Sequence, residues 1–232
     1  MSLPALLVVH GAWHRPEHWT LLTDELRGVD VHTVALPSSG DDPAALGDMF
    51  ADADAIAAAA AAIDGQVVVL AHSAAGVATT QALATASHVR RIVYLTAFLL
   101  DVGESMLSST GGEPAPWWKC NPERTAIEAT DPIGVFYGDV EAGLAQRAAS
   151  RLWRFQSYTA VTQALTEAAW RAIPSTYIVC EADNAIPPFA QELWAKRAER
   201  VLRMNTSHSP FLSQPAELAR LIEDELASAA NS

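Results

Sequence analysis

The run VVVLAHSAAGVATT, residues Val67–Thr80, changes character at a single hydroxyl. Val67 to Ala71 are apolar at consecutive positions, as in a strand covered on both faces rather than one facing water on one side. From Ala75 the residues turn small and helical. Ser73 stands at the break, just past the carboxyl end of the strand, where open parallel sheets bind their ligands. A tight strand–turn–helix around a serine strains the backbone and admits only small neighbours; the usual form is G-x-S-x-G. Here both glycines are alanine (Ala71, Ala75), and Gly76 follows one step on. A serine before a helix is also a common N-cap, whose side chain accepts from a backbone N–H of the first turn. Its partners elsewhere in the chain decide between the two roles.

Working outward, five more runs read as strands: Ala5–His10, Val31–Ala35, Arg91–Thr96, Thr176–Glu181 and Val201–Met204. Helical patterns fall between them at Glu17–Arg27, Pro43–Ile63, Ala75–Ala86, Pro188–Arg197 and Pro215–Ala227. Alternating strand and helix predicts an α/β fold: a mostly parallel sheet of about six strands, helices on both faces, right-handed crossovers. The rhythm fails between Leu99 and Ile173, which opens with Gly, Ser, Thr and Pro, carries helical pieces at Ala142–Arg154 and Thr159–Arg171, and holds four of the seven tryptophans. A structureless loop that long is rare, so 99–173 is read as a helical cap inserted after the fourth strand, with 1–98 and 174–232 forming the core domain. The alanine-rich stretch Ala51–Ala62 is read as structural, since alanine favours helix and lets it approach the sheet closely.

Fifteen basic against twenty-seven acidic residues give a net charge of −12. That surface repels phosphate backbones and acidic lipid, which argues against nucleic-acid and membrane partners. No apolar stretch approaches a membrane span, and the first residues carry no secretory pattern. Cys120 and Cys180 are isolated thiols, read as reduced in a cytoplasmic protein. No zinc-like spacing of His, Cys and carboxylates occurs, so no metal is expected. Homodimer formation is left open.

A serine hydroxyl needs an imidazole to take its proton, and the imidazole needs a carboxylate to fix its tautomer. Asp183 lies two residues past the strand ending at Glu181, and His208 four past Met204, giving the order Ser, Asp, His at three strand ends. Glu181 and Asp101 are rival carboxylates. Attack on a carbonyl also needs preplaced N–H donors for the developing oxyanion. The amide of Ala74 at the helix start is one candidate, and that of Ala12 in HGAWH (His10–His14) the other, with Gly11 allowing close approach. His72 is read as structural. The expected pocket is largely apolar, with Gly11, His14, Leu99, Trp117, Trp118, Phe136 and Phe211 as its substrate-binding side.

LLVVHGAWH, VVLAHSAAGVATT, RIVYLTAFLLDVGES, STYIVCEADNAIPP and HSPFLSQPAELA together resemble the α/β-hydrolase branch of plant methylesterases, salicylate-binding esterases and hydroxynitrile lyases, with bacterial relatives. The resemblance runs nearly end to end and is loosest in the cap. It implies a cofactor-free serine hydrolase with Ser73 as nucleophile, Asp183 as acid, His208 as base, and oxyanion donors at Ala12 and Ala74. The lyases of the branch are similar but carry threonine at the position of Gly11 and lysine at that of Ser209. Without them, carbon–carbon cleavage loses its two specific stabilisers, so small uncharged carboxylic esters are the expected substrates. A cofactor-free lyase on the same triad and a small-molecule-binding protein of the same fold are the alternatives. A dehalogenase-type mechanism is disfavoured, because the elbow carries serine and not aspartate.

Overall fold

In the computed structural model, which describes residues 3–231, the chain folds around one parallel sheet. Its strands in chain order are β1 (Ala5–Val9), β2 (Val31–Val34), β3 (Ser39–Gly40), β4 (Val67–His72), β5 (Val89–Leu95), β6 (Trp118–Cys120), β7 (Ala126–Ala129), β8 (Phe155–Ser157), β9 (Ser175–Cys180) and β10 (Arg200–Met204). Six of them form the main sheet in the order β10-β9-β5-β4-β1-β2, every neighbouring pair parallel. These are the six strands expected from the apolar runs. The central strands β1, β4 and β9 are buried at every position, which explains their consecutive apolar residues.

Three helices frame the first half: α1 (Thr20–Glu25), α2 (Met49–Ala61) and α3 (Ala75–Ala82). α2 packs on α3 over one face of the sheet, and α1 packs on the C-terminal helix Pro215–Ala230 over the other. α2 begins at Met49 and not near Pro43, because the carboxylate of Asp48 accepts the N–H of Ala51 at 2.8 Å and caps it there. The C-terminal helix is pinned through Glu225, which is fully buried. Its carboxylate accepts from Thr176 Oγ1 at 2.6 Å and from Arg200 Nη1 at 2.8 Å, with Arg91 Nε at 3.4 Å. Removing one partner of such a buried group leaves an uncompensated charge, typically at a cost of about 3–5 kcal/mol.

The segment between β5 and β9 is not purely helical. It contributes β6, β7 and β8 to a second, antiparallel sheet of order β3-β8-β7-β6. Since β3 comes from the loop after β2, this small sheet stitches the inserted segment to the core. A second tie joins Gln163 to the start of α2: its Oε1 accepts from Met49 N at 2.8 Å, and its Nε2 donates to Asp48 at 2.9 Å. Among the described residues, no helix is long and apolar enough to cross a membrane.

Candidate active site

Four loops leave the carboxyl ends of β1, β4, β9 and β10 on one side of the sheet, and the site is built from them. β4 ends at His72 and α3 starts at Ala75, so the chain reverses within two residues. Ser73 absorbs the turn with φ 57°, a left-handed conformation that costs a non-glycine residue on the order of 1–3 kcal/mol. The strain is held by the surroundings: Ser73 N donates to Leu95 O at 3.3 Å, and Ser73 O accepts from Gly76 at 3.1 Å and Phe98 at 3.1 Å. Gly76 is required where it stands, because a Cβ there would lie 2.6 Å from the Phe98 carbonyl oxygen. The alanine methyls at 71 and 75 are buried without such a conflict.

Ser73 Oγ lies 2.9 Å from His208 Nε2, and His208 Nδ1 lies 2.6 Å from Asp183 Oδ2. All three residues are buried. With the Nδ1 proton donated to the carboxylate, Nε2 of the neutral ring is left as the acceptor facing the serine. Asp183 is itself tightly held: Oδ1 accepts from the amides of Ala185 and Ile186 at 2.6 and 3.0 Å, and Oδ2 from Thr96 Oγ1 at 2.5 Å. The rivals Glu181 and Asp101 are engaged elsewhere or outward: Glu181 is exposed, and Asp101 pairs with Arg171 at 2.6 Å.

Ala12 and Ala74 line one cavity, and neither backbone N–H takes part in a hydrogen bond among the described residues. Two free amides beside a serine–histidine pair are what a developing oxyanion requires. The loop carrying Ala12 is braced by histidines. His10 bridges Gly11 O at 2.9 Å and Leu36 N at 3.1 Å. His14 donates Nδ1–H to Ala12 O at 2.9 Å and accepts the Tyr137 hydroxyl at 3.1 Å. His72 donates Nε2–H to the His208 carbonyl at 2.9 Å, so it holds the backbone of the residue whose ring faces Ser73. Burial lowers the pKa of all three rings, that of His10 to about 4, and keeps them neutral braces. Trp13 stands beside them at φ 59°, its N–H on Ser39 Oγ at 3.2 Å and its indole N–H on Ile127 O at 2.9 Å.

The expected pocket side chains fall differently. Phe136 stands near His208, ring centres 5.7 Å apart, and His14 near Phe136 at 5.3 Å. Trp117 and Trp118 pack edge-on against Trp13 at 5.5 and 6.4 Å, as parts of one aromatic cluster. Phe211 is stacked on Trp19 at 4.1 Å, Leu99 is fully buried, and Gly11 backs onto Ser73. None of these seven borders the cavity at Ala12 and Ala74. That cavity, about 20 Å³, is lined by Leu36, Met49, Val77 and Met106 among apolar side chains and by Ser38, Asp52 and Gln156 among polar ones. Asp52 comes from the alanine-rich helix whose role was read as purely structural. The sequence signal was its position: Asp52 falls on the buried face marked by Met49, Ile56 and Ala60. Among the described residues, no group of three His, Cys, Asp or Glu side chains is placed to hold a metal ion.

An alpha/beta hydrolase family model matches residues 6–221. The chain is 31% identical over 245 residues to the alpha/beta hydrolase nvfD of Aspergillus novofumigatus, with 97% of each covered. Among solved structures it is similar to a pyrethroid hydrolase from Sphingobium faniae JZ-2 (TM-score 0.79, 22% identity, 99% of each chain). It is also similar to the methylesterase MES16 from Arabidopsis (TM-score 0.82, 19% identity, 97% of this chain and 99% of that one). The chain belongs to the alpha/beta hydrolase family, and hydrolysis is the activity this membership supports.

Proposed function

We propose that the protein is a serine esterase that cleaves small uncharged carboxylic esters through an acyl–Ser73 intermediate. His208 Nε2 takes the Ser73 proton as Oγ attacks the ester carbonyl, and Asp183 holds the ring in the required tautomer and stabilises the imidazolium that forms. The amides of Ala12 and Ala74 receive the oxyanion. His208 then returns the proton to the departing alcohol. A water, deprotonated by the same nitrogen, attacks the acyl carbonyl and frees Ser73. Residues 99–173 act as the cap that closes this site, and the free thiols Cys120 and Cys180 suit a reducing, cytoplasmic setting.

The observation that carries the reading is the unbroken line from Ser73 Oγ through His208 to Asp183, at 2.9 and 2.6 Å. The esterase and hydrolase names of the similar proteins point the same way. The lyase alternative is weakened by Gly11. A side chain there would place its Cβ 2.8 Å from Ser73 Cβ and 2.9 Å from His72 Nδ1, so a threonine does not fit this loop as it stands. The test is a panel of short-chain esters with wild type and Ser73→Ala. The account expects turnover that falls by at least about a thousandfold in the variant. Wild-type rates in Ser73→Ala would overturn it. Mandelonitrile cleavage exceeding ester turnover would favour the lyase, and tight ligand binding without turnover a binding protein.

A further inference from the structure

The cavity beside Ala12 and Ala74 is lined mainly by apolar side chains, with a continuous buried polar chain through Ser38, Asp52 and Gln156 among them. Ser38 donates its N–H to Asp52 Oδ1 at 2.8 Å, and Ser38 Oγ lies 2.5 Å from Asp52 Oδ2. Gln156 Nε2 donates to Ser38 Oγ at 2.9 Å, and Gln156 Oε1 accepts from Ser39 Oγ at 2.6 Å. All four side chains are less than a tenth exposed. The chain does not consume its own hydrogen-bonding capacity. An amide nitrogen has two hydrogens, and Gln156 uses one on Ser38. Burial raises the Asp52 carboxyl to about 7, so near neutrality much of it keeps its proton. Toward the ionised carboxylate Ser38 Oγ is the donor; when Asp52 holds its proton the bond reverses and frees the Ser38 hydroxyl hydrogen, while the second Gln156 hydrogen is spare in both states. Ser38 and Gln156 both line the cavity, so a mostly apolar pocket carries spare donor capacity.

The catalytic geometry says which half of the substrate meets them. The leaving alcohol takes its proton from His208 Nε2 and therefore lies on the His208 side. The cavity is bounded by Ala12, Ala74, Val77 and Ala78 with α2 and the cap, and no residue of the His208 loop borders it. The acyl group is what remains to enter it. With room for about one water, the cavity admits a short branch. A purely hydrocarbon branch would leave the spare donors facing carbon, which costs more than a hydrogen bond gains.

Building on the esterase reading, we propose that Ser38, Asp52 and Gln156 form an acyl-side recognition subsite that selects esters bearing a hydroxyl or oxo oxygen on the carbon next to the scissile carbonyl. Asp52 sets the donor direction of Ser38, Gln156 contacts the substrate oxygen together with Ser38, and the apolar walls exclude longer branches.

The experiment compares kcat/KM for ethyl lactate and ethyl isobutyrate, which differ by a hydroxyl in place of a methyl, with an alcohol-side pair (2-hydroxyethyl and propyl butyrate) as the other arm. Wild type is expected to prefer lactate by about tenfold or more and to treat the alcohol-side pair alike within about threefold. In Gln156→Leu and Ser38→Ala the lactate preference should fall to within about twofold, while loss of fold alone would lower both esters together. Equal turnover of the acyl pair in wild type, a preference only on the alcohol side, or an unchanged ratio in both variants would overturn the subsite. Binding of lactamide and isobutyramide to Ser73→Ala, followed by NMR titration, reads the same selectivity without turnover. If a phosphonate fails to label wild-type Ser73 yet lactamide binds about tenfold tighter, the esterase reading has failed and the subsite stands. Equal amide affinities overturn the subsite whatever the labelling shows.

Discussion

Gly11→Ala tests how closely the loop carrying Ala12, a proposed oxyanion donor, is pressed against Ser73. The added Cβ would lie 2.8 Å from Ser73 Cβ, 2.9 Å from His72 Nδ1 and 3.2 Å from the His72 carbonyl oxygen, where ordinary contact begins at 3.4 Å. Something must move by about 0.6 Å. Ser73 is fixed by its turn hydrogen bonds, and the His72 ring is fully buried with Nε2 tied to His208 O. The loop is therefore the part that gives, and it takes the Ala12 amide with it. Overpacking of this kind costs about 1–3 kcal/mol of stability, or roughly 2–4 °C of Tm per kcal/mol for a chain of this size. Removing one oxyanion donor costs about 100- to 1000-fold in kcat, so a partial displacement should cost about 10- to 100-fold, with KM little changed. Steady-state kinetics on a short-chain ester, paired with a thermal melt, measure both. A lowered Tm with wild-type kcat would show that Ala12 is not an oxyanion donor. Wild-type values of both would refute the packing argument itself.

Thr96→Val removes the hydroxyl that donates to the Asp183 oxygen facing His208, and should lower kcat by about five- to tenfold without changing KM; an unchanged kcat would show that the carboxylate needs no such support. Asp52 keeps its proton in the folded state up to about pH 7, whereas the unfolded carboxyl ionises near 3.8. The folded state thus binds more protons in that window, and the stability Asp52 contributes declines as pH rises from about 4 to 7. Asp52→Asn should accordingly gain Tm relative to wild type across that interval, and a difference independent of pH would contradict this. The buried rings of His10, His14 and His72 work in the opposite direction. Their pKa values lie below 6.5 in the folded state, so the unfolded chain takes up the extra protons, and their contribution to stability is lost as pH falls from about 6.5 towards 4. Replacing His10 by Asn should flatten part of that acid slope in melts taken across the interval.

The main sheet was legible because each of its strands is a local run whose composition reports burial. Val67–His72 reads as a covered strand without knowledge of its neighbours. Ser73, Asp183 and His208 could be picked out because parallel strands end on one side of the sheet, so position after a strand predicts meeting in space. The small antiparallel sheet was not legible. β3 has two residues and β6 and β8 three each, and their pairing depends on partners far away in the chain, such as Ser39 with Gln156. The polar part of the cavity lining was hidden for the same reason, since Ser38, Asp52 and Gln156 come from a loop, a helix and the inserted segment. Of the aromatic residues expected to line the pocket, Phe136 faces His208, while Trp117 and Trp118 pack, half-buried, against Trp13.

Intact-mass and peptide spectrometry after exposure to a p-nitrophenyl phosphonate asks directly whether this serine is a nucleophile. The account predicts one phosphonyl group per chain, located on Ser73, formed as ester turnover disappears, and absent from Ser73→Ala and slowed in His208→Ala. Full inhibition with Ser73 unmodified, or an adduct that persists in Ser73→Ala, would contradict it.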